Sequence, residues 1–207
     1  MRYRRLFTPI TINGMELKNR IVMPAMHHLY TDNGYCTPKF AHYYWRRAEG
    51  GAGLIIVGSC RFDEYGAKAN SMSLASDDTI PGWKQFTDGI HQRGSKAAVQ
   101  LYHAGRYMPS KDVPCGKPAL APSAVYSSFS RSTPREITVE EIHRLQAQWA
   151  AGAVRATFTA SNSFQAGAQP NSLSCLKIIS SRTAILPRAA DRSFSNILRM
   201  ACHSRSR

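Results

Sequence analysis

Several residues that could support chemistry stand directly after an apolar run, where a buried strand is expected to end. The first group follows residues 21–23 and consists of Pro24, Ala25, Met26 and His27. Proline fixes the backbone and removes one hydrogen-bond donor, so the following amides and the His27 ring are free to hydrogen-bond to a ligand. A plain turn with solvated histidines explains the same pattern. Metal binding by His27 together with His28 is disfavoured, because adjacent side chains of an extended chain point to opposite sides.

Two further positions follow the next apolar runs. In "GLIIVGS" (53–59) the small residues Gly58 and Ser59 would let the backbone approach a flat ligand, although a tight turn requires glycine equally well. In "VQLYHAGR" (99–106) Gln100 stands near the end of a strand otherwise made of Ala, Val and Leu. A buried primary amide needs partners for its oxygen and its nitrogen. It can meet a ring that presents N–H beside C=O, such as a flavin pyrimidine edge, or be satisfied by backbone.

The elements that position these residues follow from periodicity and turn signals. Residues 10–17 alternate around Asn13-Gly14, which predicts a hairpin. Buried strands are predicted at 21–26, 53–59 and 96–101, and helices at 37–51, 81–95 and 138–156. Thr37 is the expected N-cap of the first helix, and Thr138 with Glu141 forms a capping box on the third. The buried stripe of that third helix is predicted to comprise Ile142, Leu145, Trp149 and Ala153.

Strands that are apolar on both faces and alternate with helices predict an α/β fold with a parallel sheet. A Pro/Ser/Gly-rich loop is predicted at 103–137. Pattern alone fits both a doubly wound sheet and a (β/α)8 barrel. In either architecture, ligands bind at the carboxyl ends of the parallel strands, where the candidate residues stand.

The composition of the 207 residues, 43% hydrophobic and 19% charged, is that of a globular protein. No run of about 20 apolar residues predicts a membrane helix, and the N-terminus lacks the apolar core of a secretory signal. The five cysteines are scattered singly, which predicts neither disulfides nor a zinc site and favours a reducing, cytoplasmic setting. The net charge of +14 brings nucleic acid into consideration as a partner.

The pattern changes after Ala156. Residues 157–207 contain seven Lys or Arg, one Asp and ten Ser, with no clear period of either kind. A flexible basic tail explains this composition, and so does a segment foreign to the preceding fold, such as an out-of-frame one. We therefore divide the chain into residues 1–156, which belong to a folded domain, and residues 157–207, a basic serine-rich tail.

The segments "LFTPITINGMELKNRIVMPAM", "GLIIVGS", "QLYHAGR" and "ALAPSAV" together resemble the N-terminal part of the Old Yellow Enzyme family of NADH:flavin oxidoreductases, over residues 6–156. The "MPAMH" turn is most similar to the branch of 2,4-dienoyl-CoA and enoate reductases. The resemblance implies the N-terminal part of a TIM (β/α)8 barrel, about three β/α units preceded by a hairpin, with FMN at the C-terminal mouth. It also implies a hydride passed from NADH or NADPH through FMN to the activated C=C of an α,β-unsaturated carbonyl.

The same resemblance implies roles for individual residues. Pro24, Ala25, Met26 and His27 would line the flavin near its N5 and O4 edge. Ser59 would lie close to the pyrimidine ring, and Gln100 would hydrogen-bond its polar edge. His27 takes the place of a residue that tunes the flavin potential, since a donor to O4 stabilises the reduced ring.

Several family features have no counterpart in residues 157–207: the paired polar residues that bind the substrate carbonyl, a later arginine beside the flavin, the phosphate-binding turn and a C-x-x-C iron–sulfur motif. A whole barrel takes about 250 residues. The catalytic residues are therefore expected outside this chain, no metal ligands are assigned, and the chain is predicted to be a truncated or frameshifted form without activity of its own. One alternative is a fragment that a second chain completes, and a homo-oligomer is also possible. Another alternative is a basic nucleic-acid-binding module. The arginines of the tail lack the interleaved aromatic residues that would favour this module.

Overall fold

The computed structural model describes residues 3–159 and the backbone of residues 178–179. Strands and helices alternate from β3 to β5, as the sequence predicts for a parallel sheet. In chain order the elements are β1 (Ile10–Ile12), β2 (Met15–Leu17), β3 (Val22–Met23), α1 (Pro38–Glu49), β4 (Leu54–Cys60), α2 (Ile80–Gln92), β5 (Lys96–Leu101), β6 (Leu120–Ala121), β7 (Arg135–Glu136), α3 (Val139–Phe158) and β8 (Ile178–Ile179).

β1 and β2 pair in the antiparallel direction across Asn13-Gly14. Both turn residues adopt positive φ, 48° and 80°, as in the two-residue turns that match the twist of the flanking strands. This register buries Met15 and Leu17, which pack against Leu54 at the start of β4. The hairpin therefore covers the amino-terminal end of that strand.

β4 is the middle strand of the parallel sheet and pairs with β3 on one side and β5 on the other. It is buried along nearly its whole length, as its uninterrupted apolar run predicts. Ile55, Val57 and Cys60 belong to the large core that also contains the buried side chains of α1 and α2, whereas Leu54 and Ile56 belong to the cluster around the hairpin. β8 adds to β5 in the antiparallel direction.

The prediction of a buried first strand at residues 21–26 is wrong in both length and burial. Regular pairing covers only Val22–Met23, and the side chains of Ile21 and Val22 are 39% and 41% exposed. The reason is the position of β3, which is the edge strand of the described sheet and pairs with β4 alone. Its apolar residues therefore have a neighbouring strand on one side only.

The first and third helices begin at the capping residues that the sequence predicts. Thr37 Oγ1 accepts a hydrogen bond from the Phe40 amide at 3.2 Å, and Thr138 and Glu141 form a reciprocal capping box. Both caps are therefore confirmed. The Arg135 guanidinium donates to both carboxylate oxygens of Glu141, and together with the Thr138 amide it lowers the pKa of Glu141 to about 2.

The buried stripe predicted for α3 is wrong. The buried positions of α3 are Gly152 and Ala156. A Cβ added at Gly152 would stand 2.8 Å from the Cβ of Phe62, so the helix makes its closest approach through small residues. The four positions that were predicted to be buried are only half-buried: Ile142, Leu145, Trp149 and Ala153.

The segment predicted as a loop at 103–137 contains a second, smaller core. β6 and β7 pair in parallel within it, and buried Met108, Val113 and Leu120 pack with Tyr65 from the segment after β4. These contacts join residues far apart in the chain, which is why no local period announces them.

The predicted boundary at Ala156 lies inside α3, which continues to Phe158, and most of the tail at 157–207 lies outside the described residues. In the part of the chain that is described, no helix combines the length and apolarity needed to cross a bilayer.

Gly89→Ala is expected to destabilise the protein even though alanine favours helices. A Cβ at position 89 would overlap the Trp45 indole, whose N–H donates to the Phe86 carbonyl at 3.0 Å. The ring would have to move, and its hydrogen bond would be lost. We expect urea denaturation to show a free energy of unfolding lower by about 1–3 kcal/mol.

Gly82→Ala in the same helix is the matched control, because the nearest heavy atom to a Cβ there is 4.0 Å away. This variant should keep its stability or gain up to about 1 kcal/mol. Equal effects of the two substitutions would contradict the packing described for Trp45.

Candidate functional site

The carboxyl ends of β3, β4 and β5 lie side by side at one edge of the sheet. Beyond β3 the chain continues alongside β4, where His27 and Gly58 form an isolated parallel bridge. β4 and β5 shift register between Val57 and Cys60, and the Gly58–Ser59 peptide bond is cis. All six predicted site residues belong to the final residues of these strands or the turns that follow.

Ala25, Gly58 and Gln100 meet at the centre of this edge. A Cβ built on Gly58 would stand 2.6 Å from the Cβ of Ala25 and 2.9 Å from Oε1 of Gln100. Both distances are shorter than side-chain contacts allow, so the three chain segments approach this closely only because position 58 is glycine. Residues selected separately in the sequence are thus brought together by backbone packing.

Ser59 is a buried polar residue beside this contact. It is 7% exposed, and its hydroxyl has no hydrogen-bond partner among the described residues. Leaving a buried polar group unpaired costs about 1–3 kcal/mol. The position therefore suits a ligand that can supply the missing partner.

His27 lies on the side of the chain that faces the segment after β4. Its Nε2 is 2.7 Å from the Ser71 hydroxyl oxygen, and its ring centroid is 6.5 Å from that of Tyr102. Partial burial of the ring, together with the positive charge of Lys68, lowers the pKa of His27. At neutral pH the ring is therefore neutral, with one nitrogen that donates and one that accepts.

His28 points the other way and packs on aromatic rings, so the interpretation that both histidines are solvated is wrong for this residue. Its ring centroid is 4.0 Å from that of Tyr43 and 5.7 Å from that of Tyr30. Burial, followed by the nearby charge of Arg47, lowers the pKa of His28. No group of three or more potential metal ligands occurs within the described residues.

Pro24 and Met26 lie at the outer rim of the site. Pro24 is exposed, and Met26 is 48% exposed with its sulfur 4.0 Å from the Tyr43 hydroxyl oxygen. The structure thus brings four of the six predicted residues close to Gly58. Ala25 and Gln100 approach it closely, His27 pairs with it in the bridge, and Ser59 follows it in the chain. Pro24 and Met26 lie on the surface beside them, and His27 is exposed as well.

Sequence reasoning missed a buried acid–imidazole pair at the same edge. Asp63 is 2% exposed, and its Oδ2 lies 3.6 Å from His103 Nε2. His103 Nδ1 accepts a hydrogen bond from the Gly105 amide at 3.1 Å, so the proton of the neutral ring is on Nε2 and faces the carboxylate. His103 stands inside the "QLYHAGR" segment, which offered a signal, whereas nothing in the sequence marks Asp63.

Tyr102 and Ser71 were also missed. Burial, with a contribution from Tyr107, raises the pKa of Tyr102, so its hydroxyl stays protonated beside His27. Tyr102 could have been selected because it follows Gln100 by two residues at the end of a strand. Ser71 carries no sequence signal, because its position depends on how the chain returns to β4.

Comparison with known proteins identifies the family. Residues 5–162 match the sequence profile of the NADH:flavin oxidoreductase / NADH oxidase family. The chain belongs to this family. A metal reductase of Desulforamulus reducens is 42% identical over 151 residues, which are 73% of this chain and 22% of that protein. An NADPH dehydrogenase of Bacillus subtilis is 36% identical over 157 residues, which are 74% of this chain and 45% of that protein.

Solved structures of the family share the fold. An Old Yellow Enzyme from a Pichia species superposes with a TM-score of 0.70 at 28% identity, covering 80% of this chain and 46% of that one. Morphinone reductase in complex with tetrahydroNAD gives 0.67 at 25% identity, covering 79% and 48%. The described fold is thus consistent with part of a TIM barrel of the Old Yellow Enzyme type. The chain spans less than half the length of these relatives.

Gly58→Ala tests the close approach at the centre of the site. The added methyl group would collide with Ala25, so we expect the free energy of unfolding to fall by about 1–3 kcal/mol. Combining Gly58→Ala with Ala25→Gly removes the nearest atom and should recover part of this loss. The recovery is measured as the coupling energy of a double-mutant cycle in urea. Additive effects of the two substitutions would show that the residues are not in contact.

Proposed function

We propose that the carboxyl ends of β3, β4 and β5 hold the isoalloxazine ring of FMN and that the chain is part of an ene-reductase of the Old Yellow Enzyme type. The observation that carries the proposal is the meeting of Ala25, Gly58 and Gln100 at the carboxyl ends of three parallel strands. Ligands of parallel α/β folds bind at this end of the sheet. Membership of the family supports the choice of a flavin.

The residues present fit the polar edge of such a ring. The Gln100 amide can donate and accept at once, which matches an N–H group beside a carbonyl. The Ser59 hydroxyl is buried without a partner and can supply a further hydrogen bond. Ala25 and Gly58 add almost no side-chain bulk. We therefore propose Gln100 and Ser59 as the groups that hold the pyrimidine part of the ring.

His27 is proposed as the donor at the neighbouring O4 edge, with Pro24, Ala25 and Met26 lining the ring beside it. Because the imidazole is neutral at neutral pH, it would act through a directed N–H group and add no net charge. A fixed donor placed where negative charge develops stabilises the reduced state, since its dipole is already oriented.

When bound, FMN would supply the redox chemistry, accepting a hydride from NADH or NADPH and delivering one to the activated C=C of an α,β-unsaturated carbonyl. We propose an enoate- or dienoyl-CoA-like acceptor, which the "MPAMH" turn supports by resemblance. A nicotinamide donor is supported by the names of relatives, an NADPH dehydrogenase and an NADH oxidase. The residues that hold the substrate carbonyl are expected outside those described here.

Residues 1–156 are proposed as the flavin-binding part of the chain, and residues 157–207 as a tail that does not take part. We further propose that the 207-residue chain alone does not turn over. The described residues line the proposed site from one side only, and β3 is the exposed edge strand of the sheet. A second chain, or another copy of this one, would complete it. The free thiols of Cys36, Cys60 and Cys115 fit a cytoplasmic setting.

Flavin titration tests the proposal, with absorbance difference spectra and fluorescence quenching as the measurements. Because the proposed contacts are to the ring alone, FMN and riboflavin should bind the 207-residue chain with similar affinity. Gln100→Leu should weaken both by about tenfold, the value of one buried hydrogen bond. Gln92→Leu, at an exposed position at the end of α2, should leave both unchanged.

Two results would count against the proposal. If neither flavin binds, or if Gln100→Leu has no effect, the ring site is misplaced. If the chain oxidises NADH or NADPH in the presence of FMN and 2-cyclohexenone, the proposed lack of turnover is wrong.

A further inference from the structure

The segment that follows β4 returns to it and forms one more strand-like contact. The Arg61 amide donates to the Met72 carbonyl at 2.9 Å, and the Leu74 amide donates to the Arg61 carbonyl at 2.8 Å. Met72 and Leu74 are both buried in the main core. Ser71 immediately precedes this contact and is only 2% exposed, so its position is fixed by the packing of its neighbours.

Two side chains of this segment contact the turn after β3. Asn70 Nδ2 donates to the Leu29 carbonyl at 3.5 Å. The Ser71 hydroxyl lies 2.7 Å from His27 Nε2, the shorter of the two contacts. The returning segment thus supports the turn after β3, and Ser71 supports the ring of His27 itself.

The direction of the Ser71–His27 hydrogen bond follows from counting donors. A buried hydroxyl whose hydrogen has no acceptor carries a desolvation cost. If His27 Nε2–H donated to Ser71, the serine hydrogen would have to find another acceptor, and no second partner of the Ser71 oxygen is seen in the described structure. If the serine hydroxyl donates to Nε2, its hydrogen is satisfied and the imidazole proton is on Nδ1.

We infer that Ser71 is a positioning residue: its hydroxyl donates to Nε2 of His27 and so holds the proton of the neutral imidazole on Nδ1. The Nδ1–H group is then the one side-chain donor that His27 can offer to a ligand. The assignment of this donor to the O4 edge of a flavin rests on the proposed function, whereas the tautomer does not.

The charges around His27 favour this neutral state. Lys68 opposes protonation of the ring and is itself paired with Asp112, with Nζ 2.9 Å from Oδ2. His28 is neutral for the reasons given above, and the protonated Tyr102 hydroxyl adds no charge. The accepting nitrogen therefore stays available to Ser71.

Imidazole nitrogen NMR of the 15N-histidine-labelled chain tests the inference without any flavin. In the wild-type chain at neutral pH, His27 should show a protonated Nδ1 and an unprotonated Nε2. Ser71→Ala should move a large part of the proton population to Nε2, and Ser71→Thr should restore the wild-type pattern. A proton on Nε2 in the wild-type chain would overturn the inference, and this measurement needs no variant to fold.

Ser73→Ala is the matched control. Ser73 is a buried serine of the same segment, but its hydroxyl oxygen accepts from the Ala75 amide at 3.1 Å and has no bond to His27. The tautomer of His27 should be unchanged in this variant. If Ser71→Ala leaves it unchanged as well, Ser71 does not hold the proton.

A second measurement tests the consequence for the flavin. The ratio of affinities for reduced and oxidised FMN should fall about three- to tenfold in Ser71→Ala, the range expected for one hydrogen bond. The same substitution in a His27→Ala background should cause no further fall. If FMN does not bind, the proposed function fails while the NMR result stands. If FMN binds and the two losses add, the positioning role is wrong.

Discussion

The double burial of β4 is the constraint on which the rest of the structure depends. This strand is paired on both sides and covered on both faces, by helices on one and by the hairpin on the other. Its packing fixes its register, because a shift of one residue would exchange the side chains that pack on the helices with those that pack on the hairpin. The fixed register places Gly58 opposite the turn after β3 and beside Gln100. The geometry of the candidate site is thus set by a core strand rather than by its loops.

Polar groups are withdrawn from water at the carboxyl end of the sheet. Ser59, Asp63 and the Asp63-facing nitrogen of His103 are polar atoms buried there without a direct hydrogen-bond partner among the described residues. His27 and His28 are neutral because partial burial and nearby cations disfavour their charged forms. Buried polar groups are costly unless they are paired. Ser59, Asp63 and His103 lie at or just after the carboxyl ends of β4 and β5, whereas apolar hairpin residues pack on Leu54 at the amino-terminal end of the sheet.

The sequence was sufficient for the features that depend on local signals. The parallel strands at 53–59 and 96–101, the N-cap at Thr37 and the capping box at Thr138 all follow from short-range rules, and the structure places them within a residue or two. It was insufficient where tertiary packing decides. The burial of α3 is set by the approach of Gly152 to Phe62, and a helical period cannot reveal this contact.

The same distinction holds within the site. Gln100 could be selected because an amide in an apolar strand is unusual by itself. Ser71 and Asp63 are ordinary residues in a polar segment, and they acquire a role only when that segment folds back along β4. The burial expected for the first strand failed for a related reason, since an apolar run predicts a strand but not the number of its neighbours.

The exposed edge of β3 and the rim of the site are physically linked. Ile21 and Val22 at the edge lie within a few residues of Pro24 and Met26 at the rim, and all four are exposed. Unpaired strand edges bind other strands readily, and a segment that paired with β3 and continued past Met23 would cover the rim as well. It would remove water from the surroundings of His27, and hydrogen bonds strengthen when the local dielectric falls. Completion of the sheet at β3 would therefore act on the donor strength of His27 as well as on stability.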